Sequence, residues 1–103
     1  MCYLTPVWRS IKDLPLQSEI FRSAASHSSS IGTLEVAWNP GIPNIAITER
    51  KQPDLWRWAI VSGDDFVIDE GSEATQSEAK GVAVSSLERA TERLHLQYAV
   101  AES

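Results

Sequence analysis

A chain of 103 residues has room for one hydrophobic core and not for two. Its 43% hydrophobic and 22% charged residues exclude a disordered or fibrous chain, and a net charge of −5 argues against a partner held mainly through phosphates. Cys2 is the only cysteine, which excludes an internal disulfide and points to the reducing cytoplasm, while no apolar run approaches the roughly 20 residues of a membrane span.

In chain order, the first expected element is a short helix. Asp13 suits its cap, Pro15 its first turn, and Leu16, Ile20 and Ala24 fall on one face. The serine-rich run from Ser23 to Ser30, with His27 inside it, ends that helix and reads as a flexible connection. Residues 1–32 are therefore expected to form an N-terminal arm, and residues 33–103 an α+β domain. From Thr33 to Trp38 the period becomes two: Leu34, Val36 and Trp38 share one face and Glu35 takes the other. Asn39 to Pro43 breaks that strand. Ile45 and Ile47 start a short second strand that stops before the polar stretch from Glu49 to Asp54.

The strongest hairpin follows. Trp56, Trp58 and Ile60 alternate with Arg57 and Ala59, Ser62-Gly63-Asp64-Asp65 supplies turn chemistry, Phe66-Val67-Ile68 resumes an extended run, and Gly71 closes it. Thr75-Gln76-Ser77-Glu78 then has the spacing of a helix capping box. Behind it Ala79, Ala83, Leu87, Ala90, Leu94 and Tyr98 recur at three- and four-residue steps, with Lys80, Glu88, Arg89, Glu92 and Arg93 mostly opposite. Gly81 costs that helix about 1 kcal/mol relative to Ala unless it marks a close backbone approach.

These elements predict an α+β, two-layer fold. An antiparallel sheet of three to four strands carries one C-terminal amphipathic helix on one face (β-β-β-α), preceded by a short N-terminal helix or arm. The other sheet face is left for the N-terminal segment, a second copy of the chain or a partner.

Enzyme chemistry finds no foothold in the residue pattern. Asp64, Asp65, Asp69 and Glu70 lie close together, but the first two fall in a turn and the last two point to opposite faces of a strand. They do not match a calcium loop. His27 and His95 lack zinc-binding spacing, Cys2 lacks a shaped setting for a nucleophile, and no phosphate-cradling glycine loop occurs. No catalytic residue, metal site or cofactor is expected.

Four tryptophans, Trp8, Trp38, Trp56 and Trp58, are many for this length, and Trp serves both small cores and interface hot spots. Packed under the helix, Trp56 and Trp58 leave Arg57 on the opposite face with Ala59 and Val61; turned outward, they form a contact patch. Trp56, Trp58, Arg57 and Trp38 are accordingly the candidate interaction residues. Arg50, Lys51 and Arg57 are the candidate contacts for nucleic acid, a partner disfavoured by charge. Residues 33–71 set those three bases against Glu35, Glu49, Asp54, Asp64, Asp65, Asp69 and Glu70.

The stretch from Leu55 to Leu94, with Trp56-Arg57-Trp58-Ala59-Ile60, then Gly71, Thr75 and Glu78-Ala79 leading into a helix, resembles two groups of small strand-strand-strand-helix modules. One is the arm-binding domains of phage-type integrases, whose three-stranded sheet enters a DNA groove. The other is the HicB-like antitoxin fold, similar in shape to double-stranded-RNA-binding domains. The resemblance implies the fold; the strands carry Arg57 alone against Asp64, Asp65, Asp69 and Glu70, and DNA binding is not carried over with it. The expectation is a non-enzymatic interaction or accessory protein, bacterial or phage-like in style, with a protein partner or a second copy of itself as a homodimer. A nucleic-acid-binding module is the alternative, and a small-ligand-binding protein the next.

Overall fold

The computed structural model describes residues 7–38 and 44–102, with side chains as far as Ala90 together with Glu92. Cys2, the break at residues 39–43 and the side chains of Leu94, His95 and Tyr98 lie outside the described residues. The elements are β1 (Arg9–Ser10), a 3-10 turn (Ile11–Asp13), α1 (Glu19–Ser26), a second 3-10 turn (Ile31–Thr33), β2 (Glu35–Trp38), β3 (Ile45–Gln52), β4 (Leu55–Val61), β5 (Val67–Glu73) and α2 (Gln76–Glu102). The strands form one antiparallel sheet in the order of the chain, β1-β2-β3-β4-β5. The fold is α+β, as expected, with more strands than the sequence pattern announced.

The alternation of side chains explains which face each residue meets. Val36, Ile47 and Ala59 are partners across β2, β3 and β4, and with Ile45, Val61, Leu34 and Ile11 they make a buried cluster. Ala24, Ile20 and Phe21 of α1 cover it. On the opposite face Ala46, Trp58 and Ile60 pack against Ala79, Ala83 and Leu87 of α2. Each fully buried large aliphatic side chain contributes about 1.5–3 kcal/mol. Both faces of the central strands are thus covered within one chain, and the sheet runs across the division between residues 32 and 33. Ile11 and Ala24 are as deeply buried as Leu34 and Val36.

Three local expectations are corrected. Ser18, rather than Asp13, caps α1: its hydroxyl accepts the amide of Phe21 at 3.1 Å, and Leu16 lies before the helix at 74% exposure. Asp13 instead ends the first 3-10 turn. β3 does not stop before Glu49 but runs to Gln52, and the two-residue turn at Pro53–Asp54 joins it to β4 as a first hairpin. Gly71 does not close β5; it lies inside the strand, opposite Trp58, whose indole rests on it so closely that a Cβ there would stand 2.8 Å from the ring.

The C-terminal helix starts where its capping box placed it. Thr75 Oγ1 accepts the Glu78 amide at 3.2 Å, and its hydroxyl donates to Glu78 Oε1 at 3.2 Å. Gly81 faces open space, so no close approach accounts for it. No helix among the described residues is long and apolar enough to cross a membrane.

Candidate functional site

With both faces of the central strands covered, the sheet remains open at its edges among the described residues. β1 is two residues long, but β5 offers seven, and no strand among the described residues pairs with its outer side. The turn that leads into it is tightly built. The Ser62 amide donates to the Phe66 carbonyl at 2.7 Å, the Asp65 amide to the Ser62 carbonyl at 2.9 Å, and the Phe66 amide to Ser62 Oγ at 3.2 Å. Asp65 takes a left-handed conformation, φ 72°, which aspartate tolerates better than most residues. Two residues of the N-terminal segment pin it there. Ser23 Oγ donates to Asp65 Oδ1 at 2.9 Å, and His27 Nε2 lies 3.0 Å from the Asp65 carbonyl and 3.2 Å from Oδ1, so this nitrogen carries the proton.

Beyond this anchored turn three large apolar side chains face solvent in succession: Phe66 at 67% exposure, Val67 at 36% and Ile68 at 47%. A register shift explains why they stay out. Ile60 pairs with Asp69 and Val61 with Val67, so Ile68 is an extra residue in a bulge at the strand's start. Past the bulge, alternation resumes. Asp69 points to the α2 side and accepts from Ser86 Oγ, while Glu70 points to the α1 side and accepts from Arg57 Nη2 at 2.8 Å. The Glu70 amide bonds Asp69 Oδ1 at 3.1 Å.

The residues singled out by sequence fall elsewhere. Trp58, at 6% exposure, is part of the core under α2; Trp56 is half-buried against the same cluster, and Trp38 against the α1 cluster. Arg57 does lie on the face opposite the tryptophans, but that face is not open. Its Nη1 donates to Glu49 Oε2 at 3.2 Å and to the His27 carbonyl at 2.9 Å. Lys51 pairs with Glu49 Oε1 at 3.1 Å and reaches Ser29 Oγ. Of the three candidate nucleic-acid contacts, Arg50 alone has no anion partner among the described residues. The structure therefore does not bring these cations together as one open patch.

Glu49, which no sequence signal marked, is the centre of that network. It is fully buried, and burial by itself would push its carboxyl up. The hydrogen bonds from Lys51, from the amide and hydroxyl of Ser29 and from Ser28 outweigh burial and hold it below the ordinary glutamate range. The serine-rich run is consequently not a free connection; it is tied to β3. A half-open cleft of about 220 Å³ lies between α1 and the β4–β5 turn, lined by Glu19, Ile20, Ser23, Trp38, Ile45 and Ser62 among others. No group of three His, Cys, Asp or Glu among the described residues could hold a metal ion.

Phe66, Val67 and Ile68 carried one readable signal. Three consecutive bulky residues in a strand cannot all face one core, and aspartates on both sides of them place the run beside water. No known family model, curated protein or solved structure matches this chain.

Proposed function

We propose that this protein is a non-enzymatic interaction module and that its binding surface is the open edge of β5 with its apolar start. One observation carries the reading: Phe66, Val67 and Ile68 are exposed together at the start of an edge strand, in a sheet whose central strands are covered on both faces by the chain's own helices. Adjacent exposed apolar groups on an edge with free backbone donors and acceptors are what strand-addition partners use. The single cysteine suits action in the cytoplasm.

The test is capture of partners by the tagged full chain, with and without nuclease, from the organism that makes it. A Phe66→Ser, Ile68→Ser variant with unchanged circular dichroism is the control. Partners that survive nuclease and are lost with the variant support the edge as the binding surface. Partners retained by the variant place the surface elsewhere, and a nuclease-sensitive catch moves the protein to the nucleic-acid class.

A further inference from the structure

Resting on that reading, we propose that the occupant of the β5 edge is an extended, basic segment of a partner protein, added as a further antiparallel or parallel strand. From Trp58 to Ala79 the chain has six carboxylates, Asp64, Asp65, Asp69, Glu70, Glu73 and Glu78, and no Lys or Arg. Asp64 and Asp65 lie in the turn before the strand, Glu70 on its α1 side, and Asp69 and Glu73 on its α2 side. An incoming strand would meet negative charge whichever face its side chains took. Glu70 is offset by Arg57, whereas Asp64 and Glu73 have no cation partner among the described residues.

The same charges disfavour a second copy of the chain. Two-fold antiparallel pairing of β5 centred on Glu70 sets Glu70 against Glu70, and pairing centred on Val67 sets Asp65 against Asp69. Like charges directly opposite one another destabilise a sheet. A strand with Lys or Arg at alternate positions meets none of this repulsion, and an apolar residue near its end can cover Phe66 and Ile68. Such a strand takes the Glu70 amide from Asp69, which keeps Ser86 as its donor.

The test selects binders to the full chain from a bead-displayed library of random peptides of about twelve residues. The selected set is expected to carry Lys or Arg at alternate positions at about twice the library frequency or more. The leading peptide, made free, is expected to slow amide hydrogen exchange in residues 67–73 by about tenfold, and to bind about tenfold more weakly at high salt. An Asp64→Lys, Glu73→Lys variant leaves the Arg57 and Ser86 contacts intact and is expected to lose about tenfold in affinity. Selected peptides without basic enrichment, or protection confined to another element, overturn the proposal. So does a concentration-dependent dimer, in sedimentation equilibrium, that protects β5 and disappears in Phe66→Ser, Ile68→Ser. If cellular partners depend on Phe66 and Ile68 but no basic peptide is selected, the basic strand fails and the interaction module stands. If cellular capture ignores those residues, the module reading fails first.

Discussion

Glu49 is a carboxylate at a position where the pattern set by Ile45 and Ile47 calls for another aliphatic side chain. It is tolerated because each oxygen is answered: Oε1 by Lys51 and Ser29, Oε2 by Arg57. Removing one member of a buried ion pair leaves the others desolvated without compensation, so Glu49→Gln is expected to cost about 3 kcal/mol in urea denaturation at pH 7. The sign of the pH dependence follows from its lowered pKa. The stabilisation from ionised Glu49 is fully present above the ordinary glutamate value of about 4.3 and is lost as pH falls through the lower folded value. The gap between wild type and Glu49→Gln is expected to shrink between neutral pH and about pH 3, and a constant gap would deny the charge its role. Gly71 is constrained differently. A methyl group 2.8 Å from the Trp58 ring forces the indole or the strand to move, so Gly71→Ala is expected to destabilise by about 1–3 kcal/mol and to alter Trp fluorescence.

Among the elements, α2 follows local rules most closely. Its cap, its small-residue face and its start all conform, and Ala79 and Ala83 let it lie close against Trp58 and Ile60. Gly81 is the exception, an exposed helical glycine with nothing within 4 Å of a would-be Cβ. Gly81→Ala is expected to stabilise the protein by about 0.5–1 kcal/mol, read as a raised thermal midpoint. β3 shows the opposite case, because its polar half from Glu49 to Gln52 has poor strand propensity and is held by tertiary partners. Thr33 Oγ1 accepts the Arg50 amide at 2.8 Å, the register shifts at Lys51, and Arg57 lies across Glu49 in the hairpin register. Local propensity yields when long-range pairing answers the polar groups.

At the scale of the molecule, two clusters share one sheet, and the N-terminal segment belongs to one of them. Ile11 is 1% exposed among Leu34, Val36 and Ile47, so Ile11→Ala is expected to cost about 2–4 kcal/mol and to lower the single unfolding midpoint of the whole chain. A separate early transition would show an arm that docks independently. By contrast, Phe66→Ser is expected to change stability by no more than about 0.5 kcal/mol, since its ring is mostly in water. A large hydrophobic side chain whose removal is free for folding is available for recognition. α2 adds one more asymmetry: 27 residues span about 40 Å, whereas a seven- or eight-residue strand spans about 25 Å, so the helix outreaches the sheet it covers.

Features that depend on near neighbours are legible from residue spacing. The capping box at Thr75, the alanine face of α2, the alternation through Trp56, Trp58 and Ile60 and the turn at Ser62–Asp65 are all governed by spacing within a few residues, and they appear where spacing put them. The sequence also placed Asp69 and Glu70 on opposite sides of a strand. Tertiary structure decided the rest. Ser18 displaced Asp13 as the cap because α1 docks through Ile20 and Ala24, and the serine run became ordered because Glu49, 20 residues from Ser29, needed donors. Which apolar run stayed exposed was decided the same way. Trp58 and Phe66 are both bulky, but Trp58 sits mid-strand under α2, whereas Phe66 stands in the turn that leads into the sheet's edge strand and is left mostly in water by the described residues.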